Sequence, residues 1–465
     1  GATRIPPNEE SMFQRLKTML PKVAADYADL RYEMKKETVI TFNGRELTQV
    51  GTNSTDGFVL RVLKQGGFSS VTFTREDQAE AAVHTALENA GLLARHLSQP
   101  VSLTPVPALE ETFFPSLPED PRQVHLEEKL DLTRRYNEIP YRSSGIATTQ
   151  TQYAEIIREK YFISSEGSRI REDLITTRLG GTITSREGTL TQTVRVGGGG
   201  SDGFARLRNQ DGEFEEKTKI ALDLLRAEPV EAGTYQVILN PDLAGVFTHE
   251  AFGHFSEADL IEDVPSMRER LTLGALLGNE QVSISDDPTP PGQLGFYHYD
   301  DEGVAVRPTS LLRQGVLVGR LHSRRTAAAF GEPVSGHCVA EDYRYPPIIR
   351  MGTIYLEPGK KSFQELLSDL GEGLYLVNAL GGQTSGENFT FGAEYGYRIR
   401  GGKVQEMIRD INISGNLYQT LQRITGVGND LTLSRTGGCG KGQLNVRSCH
   451  GGPHVLMERM VIGGR

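Results

Sequence analysis

The sequence predicts an α+β fold: N-terminal paired modules of helices and antiparallel sheet, then a large, mostly antiparallel β-rich C-terminal domain carrying a candidate metal-site helix. Three observations carry this. A helix–hairpins–helix order occurs twice before residue 228, and strands and glycines dominate from about residue 229 onward. The third is the stretch THEAFGHFSEADL at 248–260, which sets two histidines around a glutamate directly after a strand. At 465 residues the chain exceeds one ordinary core. The expected division is 1–100 and 101–228 for the two modules and 229–465 for the β-rich domain.

In the first module, residues 9–27 space Phe13, Leu16, Leu20 and Val23 as a helical stripe that Pro21 kinks or ends. ETVITFNGRELTQV alternates about Asn43-Gly44 and DGFVLRVLKQGGFSSVTFT about Gly66-Gly67, two hairpin signals. DQAEAAVHTALENAGLLARHL is a helix rich in Ala and Leu. The second module repeats the order: a helix at 121–138, a hairpin about Gly167, strands through TQTVRV and a helix at 214–227. Two copies without a short fixed period indicate paired modules rather than a solenoid. In the last domain TYQVILN reads as a buried strand, and GVAVRPTSLLRQGVLVGRLHS and FTFGAEYGYRIRGGKVQEMI as hairpins, the latter turning at Gly401-Gly402. SFQELLSDLG is a helix with Ser362 as N-cap and Glu365 as its capping-box partner.

Composition narrows the function classes. A formal charge of −10, with no basic block, argues against direct nucleic-acid binding. No stretch reaches the ~18 to 20 apolar residues of a membrane helix, and the polar start GATRIPPNEES lacks the apolar core of a signal peptide. A cytoplasmic protein is expected, and the initial Gly in place of Met suggests a trimmed chain. Cys338, Cys439 and Cys449 are too few for a disulfide framework, which leaves a metal or redox role open for one of them.

The 248–260 stretch poses a geometric problem. Asn240 and Pro241 supply an N-cap and an N1 proline, and Leu243, Val246 and Phe247 a packed face. At about 100° per residue, His249 and His254 lie roughly 140° apart on an ideal helix and cannot share a small cation. One wide π-type turn, or a helix end at the permissive Gly253, brings them to one side. Glu250 would then serve as a base beside a metal-activated water, and a thiolate would be an accepted third zinc ligand. The motif alone fits ordinary histidines beside an acid equally well.

HEAFGHFSE, ISDDPTPPGQLG, the DDEG at 300–303 before RPTSLLRQGVLVG, YRYPPIIRMGTIYLEPG, GGQTSGENFTF, GVGNDL, GCGKGQ and VIGGR together resemble the TldD/PmbA family of zinc peptidases, historically called modulators of DNA gyrase. The resemblance covers nearly the whole chain. It implies a peptidase with Zn2+ held by His249, His254 and Cys439, Glu250 as catalytic base, and unfolded or extended peptides as substrate. It also implies a two-fold assembly, a homodimer or a heterodimer with a paralogue lacking the metal motif, whose site faces an internal chamber. A non-catalytic scaffold subunit is the competing reading. DNA binding follows only from the historical name, against the acidic balance.

Further residues have two readings each. Glu257 orients a ligand imidazole or is a solvated acid. Arg350 binds a peptide carboxylate or developing oxyanion, or makes a structural salt bridge. Tyr343 and His298 are candidate substrate contacts or, by default, an exposed or core aromatic and an ordinary polar histidine. Cys449, His450 and His454 read as solvated loop residues, with an alternative metal clip as the other possibility. Gly199-Gly200-Ser201-Asp202-Gly203 matches G-x-S-x-G but reads as a flexible loop near the substrate path, and GCGK lacks the rest of a phosphate loop. Imidazoles with a thiolate favour zinc over magnesium or calcium.

Overall fold

The computed structural model describes residues 7–21, 25–439, 441, 443 and 445–464. The N-terminal half is one twisted sheet with helices against it. Helix α1 (Pro7–Met19) buries Phe13 and Leu16 and ends just before Pro21, as the stripe predicts; Val23 lies outside the described residues. Strands β1 (Tyr27–Asn43), β2 (Glu46–Lys64) and β3 (Gly67–Phe73) follow, then α2 (Ala79–His96). The second hairpin turns one residue earlier than its Gly-Gly pair suggests, with Gln65 and Gly66 at positive φ. Gly67 is needed for another reason: a Cβ there would come within 1.8 Å of the Ala90 carbonyl oxygen in α2.

After β4 (Glu110–Phe113) and α3 (Leu126–Glu138), the second module supplies β5 (Ile146–Ser164), β6 (Arg169–Glu187), β7 (Leu190–Gly200) and α4 (Asp211–Leu224). The modules are not separate layers. β1 pairs with β5 from Asp29↔Ser164 to Asn43↔Gln150, which joins both into a seven-stranded sheet in the order β3-β2-β1-β5-β6-β4, with β7 also on β6.

Beyond β8 (Glu228–Pro229), β9 (Gly233–Leu239) is the predicted strand, but only Val237, Ile238 and Leu239 are buried. It pairs in parallel with the strand Gly373–Ser385 and antiparallel with Val455–Gly464. Pairings through Ile411–Asn416 and Asn388–Arg400 return to Gly373–Ser385 and close the strands into a ring. A second sheet includes Thr353–Leu356 paired in parallel with Cys449–Gly452. Ser362 and Glu365 form the predicted capping box, and Leu366, Leu367 and Leu370 bury that helix's apolar face. Among the described residues no helix is long and apolar enough to cross a membrane.

The sheet meets the C-terminal domain through a buried charged layer. Asp29, Arg31, Glu33 and Lys35 alternate along β1, and all are buried. Lys35 Nζ lies 2.9 Å from Asp342 Oδ2, Lys160 Nζ 3.0 Å from Asp301 Oδ1 and Arg61 Nη1 3.0 Å from Glu302 Oε2. Arg158 grips both Glu33 oxygens and the Ala340 carbonyl, while Arg31 donates to the carbonyls of Asp342 and Tyr345. Asp301 and Glu302 of the DDEG stretch are therefore anchors to the N-terminal sheet, while Asp300 accepts from the Glu302, Val304 and Cys338 amides.

Burial acts to raise the Asp301 carboxyl, but Lys160, Arg31 and Arg158 outweigh it and hold it well below the ordinary 3.8. A depressed folded-state value contributes stability that is complete above the unfolded value and is lost as pH falls through the folded one. Asp301→Asn is expected to cost about 3–5 kcal/mol at neutral pH by stranding buried cations. It should also flatten the fall of unfolding temperature below about pH 4. Calorimetry of wild type and variant across that range checks both.

Candidate metal centre

Asn240 Oδ1 accepts from the Leu243 amide at 3.0 Å and starts α5 (Pro241–Phe247) as an N-cap with proline at N1. The helix runs between the strands Gly373–Ser385 and Cys449–Gly452, so its surroundings are packed on both sides. Phe247 meets Phe389 edge-on at 5.4 Å. At Gly245 a Cβ would reach Gly451 Cα at 3.0 Å, so glycine permits the close approach.

The backbone then widens into a π-helical turn at Thr248–Phe252 and tightens into a 3-10 turn at Gly253–Ser256. This is the distortion the five-residue spacing requires. The rings of His249 and His254 come to 5.5 Å, nearly perpendicular at 84°. Gly253 itself has ordinary helical angles, φ −57° and ψ −40°, so its role is not conformational freedom. A Cβ there would lie 2.1 Å from Met351 Sδ and 3.0 Å from Ile354 Cδ1, and glycine is what lets the turn pack on that strand.

One ligand atom each from His249, Glu250, His254 and Cys439 falls within a 4.8 Å group. Glu250 bridges the rings, with His249 Nε2 3.7 Å from one oxygen and His254 Nε2 3.5 Å from the other. The His249 side chain is 5% exposed and that of Glu250 37%, so the carboxylate is the open face of the group. Cys439 arrives from far along the chain, exchanging backbone hydrogen bonds with Val446 at 3.1 and 2.9 Å.

Glu257 is fully buried and accepts from, or shares a proton with, His254 Nδ1 at 2.9 Å. The solvated-acid reading is excluded, and the carboxylate orients the imidazole. Its second oxygen lies 4.0 Å from Arg350 Nε and 3.7 Å from Lys441 Nζ. Arg350 is 0% exposed and lies behind the group, against the Cys439 thiol and 4.0 Å from Glu257, in the arrangement of the salt-bridge reading. Tyr343 is not brought into the group. Its ring covers Gly57 of β2, where a Cβ would come within 2.2 Å of Cδ2.

The remaining candidates are structural. His298 sits between Phe113 and Phe296, with ring centroids at 3.9 and 5.1 Å. Cys449 and His450 are in a strand rather than a solvated loop. Burial pushes the Cys449 thiol up to about 11, and its Sγ donates to the Ser434 carbonyl. His450 backs His249 with rings 6.0 Å apart and faces Asp242 at 3.8 Å. His454 bonds Asp430 and Tyr375 and stacks on Phe363. Cys338 is buried in a strand bridge with Ile349. The G-x-S-x-G match is no flexible loop: the Ser201 hydroxyl donates to the Gln293 carbonyl, and a Cβ at Gly198 or Gly199 would strike backbone.

The electrostatics separate the two imidazoles. Burial pushes His249 down to about 3, leaving it neutral with a lone pair to share. Burial lowers His254 too, but Cys439, Glu250 and Glu257 outweigh it and raise the ring to about 11. For Cys439, burial acts upward while His254 and Arg350 bring the thiol below its usual value. Burial also acts to raise Glu250, but the neighbouring histidines hold it below the ordinary range, in the form that accepts a proton. With Cys439 ionised, Glu250, Glu257, Asp259 and Cys439 exceed Arg350, Lys441 and the protonated His254 by one charge, so the group attracts a cation. The buried His249 Nδ1 has no hydrogen-bond partner among the described residues. Two imidazoles and a thiol held below its usual pKa, in a group of net negative charge, fit zinc.

Sequence reasoning missed Lys441 and Asp259, joined at 2.8 and 2.9 Å. The available signal was position: one lies two residues past Cys439, the other two past Glu257.

Family models for PmbA/TldA metallopeptidases match domain 1 over residues 28–90, the central domain over 119–227 and the C-terminal domain over 232–464. A metalloprotease from Synechocystis sp. is 34% identical over 444 residues, spanning 95% of each chain. A zinc metalloprotease TldD homolog from Saccharolobus solfataricus is 29% identical over 460 residues, 97% of this chain and 100% of that one. Among solved structures, a candidate modulator of a DNA gyrase from Thermotoga maritima shares the fold with a TM-score of 0.77 at 20% identity, over 98% of this chain and 100% of the other. TldE from Thermococcus kodakarensis does so with 0.75 at 18%, over 98% and 99%.

Glu257→Gln removes the charge that orients His254, and is expected to weaken metal binding about 10- to 100-fold. Competition against a chromophoric zinc chelator measures it; unchanged affinity would deny Glu257 that role.

Proposed function

The chain belongs to the PmbA/TldD metallopeptidase family, and on that premise we propose that it is a zinc-dependent peptidase acting on unfolded or extended peptides. His249, His254 and Cys439 are the proposed ligands and Glu250 the general base. The observation that carries the reading is the convergence of these residues within 4.8 Å on a π turn and a remote loop. A structural zinc site would need no glutamate at its open face.

Zinc bound there would polarise the scissile carbonyl and lower the pKa of a water, the two contributions a metal makes to amide hydrolysis. Glu250, ionised and partly exposed, takes the proton of the attacking water and delivers it to the leaving amine. Glu257 fixes which nitrogen of His254 points inward, and Arg350 favours the thiolate of Cys439. A strand-rich groove aligns the peptide by edge pairing. The same reading includes a cytoplasmic two-fold assembly, with a second copy or a paralogue lacking the metal motif, which light scattering of the pure chain and of the mixture tests.

Elemental mass spectrometry on protein purified without chelator is expected to find about one zinc per chain, the stoichiometry of a three-ligand catalytic site, falling sharply in Cys439→Ser. Glu250→Gln should keep the metal and lose about 10²- to 10⁴-fold in peptide hydrolysis. Full zinc in the cysteine variant, or full activity in the glutamine variant, would overturn the assignment.

A further inference from the structure

The ligand from the C-terminal loop must be held in place by something outside that loop. Its backbone bridge from Cys439 to Val446 joins the loop to itself. Gln443 ties it to Glu341 and Pro346, a segment that supplies no ligand. Lys441 differs. Its ammonium lies 2.8 and 2.9 Å from the Asp259 oxygens, 3.0 Å from the Ile349 carbonyl and 3.7 Å from Glu257 Oε2.

Those partners belong to the other two walls of the site. Asp259 follows the segment that carries His249, His254 and Glu257, and Ile349 immediately precedes Arg350. The ion pair is partly buried, with side-chain exposures of 16% and 26%, so it is shielded more than a surface pair. Glu257 Oε2 makes no hydrogen bond among the described residues and lies between the two cations, while its other oxygen holds His254.

We propose that Lys441 is a positioning residue, a clamp that fixes the Cys439 loop against Asp259 and Ile349 and steadies Glu257 behind His254, so that the third ligand is presented only when the clamp is closed. The proposal rests on the metal-site reading given above. It assigns to the lysine beside the cysteine the placing of the thiol, and no contact with substrate.

The test compares full-length wild type, Lys441→Met, Lys441→Arg and Asp259→Asn. After chelator stripping, the rate at which a bulky neutral maleimide labels Cys439 is read by peptide mass spectrometry. The buried Cys338 and Cys449 report on folding in the same experiment. Lys441→Met and Asp259→Asn are expected to label Cys439 about tenfold faster with the buried thiols unchanged, and to bind zinc about 10- to 100-fold more weakly in chelator competition. Lys441→Arg, which keeps the charge, should recover part of both. Wild-type labelling in both clamp variants would overturn the proposal, as would weaker zinc binding without any change in labelling. A wild type that takes up no zinc would sink the peptidase reading, while the labelling rates would still decide whether the clamp exists. If Lys441→Met fails to fold, Asp259→Asn carries the comparison.

Discussion

A regular α-helix cannot direct two side chains five residues apart toward one small ion, and the candidate site depends on how the backbone escapes that limit. The widened turn at Thr248–Phe252 supplies the missing rotation, and the tight turn after it swings Glu257 inward behind His254. Such turns are poor local structure, so they persist only where surroundings fix them. Here the fixing is steric: Met351 and Ile354 fill the space beside Gly253, and Gly451 lies close against Gly245. The helix is locked on two sides by strands, and the histidines inherit its rigidity.

Charge works at two scales around this core. Near the site, acidic side chains exceed the basic ones, a balance that favours a bound cation, while burial, against the pull of Glu250, keeps the His249 imidazole neutral. Farther out, a layer of paired charges holds the N-terminal sheet against the C-terminal domain. Pairs of this kind contribute less to stability than apolar contacts of equal size, because both partners lose water. Their geometry is specific, however. Cations on β1, β2 and β5 engage Asp301, Glu302 and Asp342, which fixes the segment leading to Arg350 and thus the wall behind Cys439.

Glycine-rich text had two meanings that only the fold separates. At Gly401-Gly402 positive φ angles make the turn its dipeptide suggests, and at Gln65-Gly66 they make one a residue before its Gly-Gly pair. At Gly198, Gly199 and Gly253 the angles are unremarkable, and the missing Cβ makes room for another chain segment. A run such as GGGGSDG therefore reads as a mobile loop in sequence and is a tight crossing in the molecule.

The sequence by itself determined the α+β class, the hairpins, the capped helix after Ser362, the start of α5 at Asn240-Pro241 and the need for either a widened turn or a helix end between the histidines. Each follows from backbone geometry within a few residues, where propensity and spacing act directly. The charges of β1, by contrast, alternate as a solvent-facing strand would, yet they are buried because the C-terminal domain covers them. Glu257 and Arg350 each had two readings until burial bore on them, and local spacing did not separate Cys439 from Cys338 and Cys449, which the resemblance did and the distances within the group agree with. Lys441 stood in the GCGKGQ stretch with no role read for it. What lies opposite a side chain is set by segments up to hundreds of residues away, and local patterns do not encode that; only the packed chain decides it.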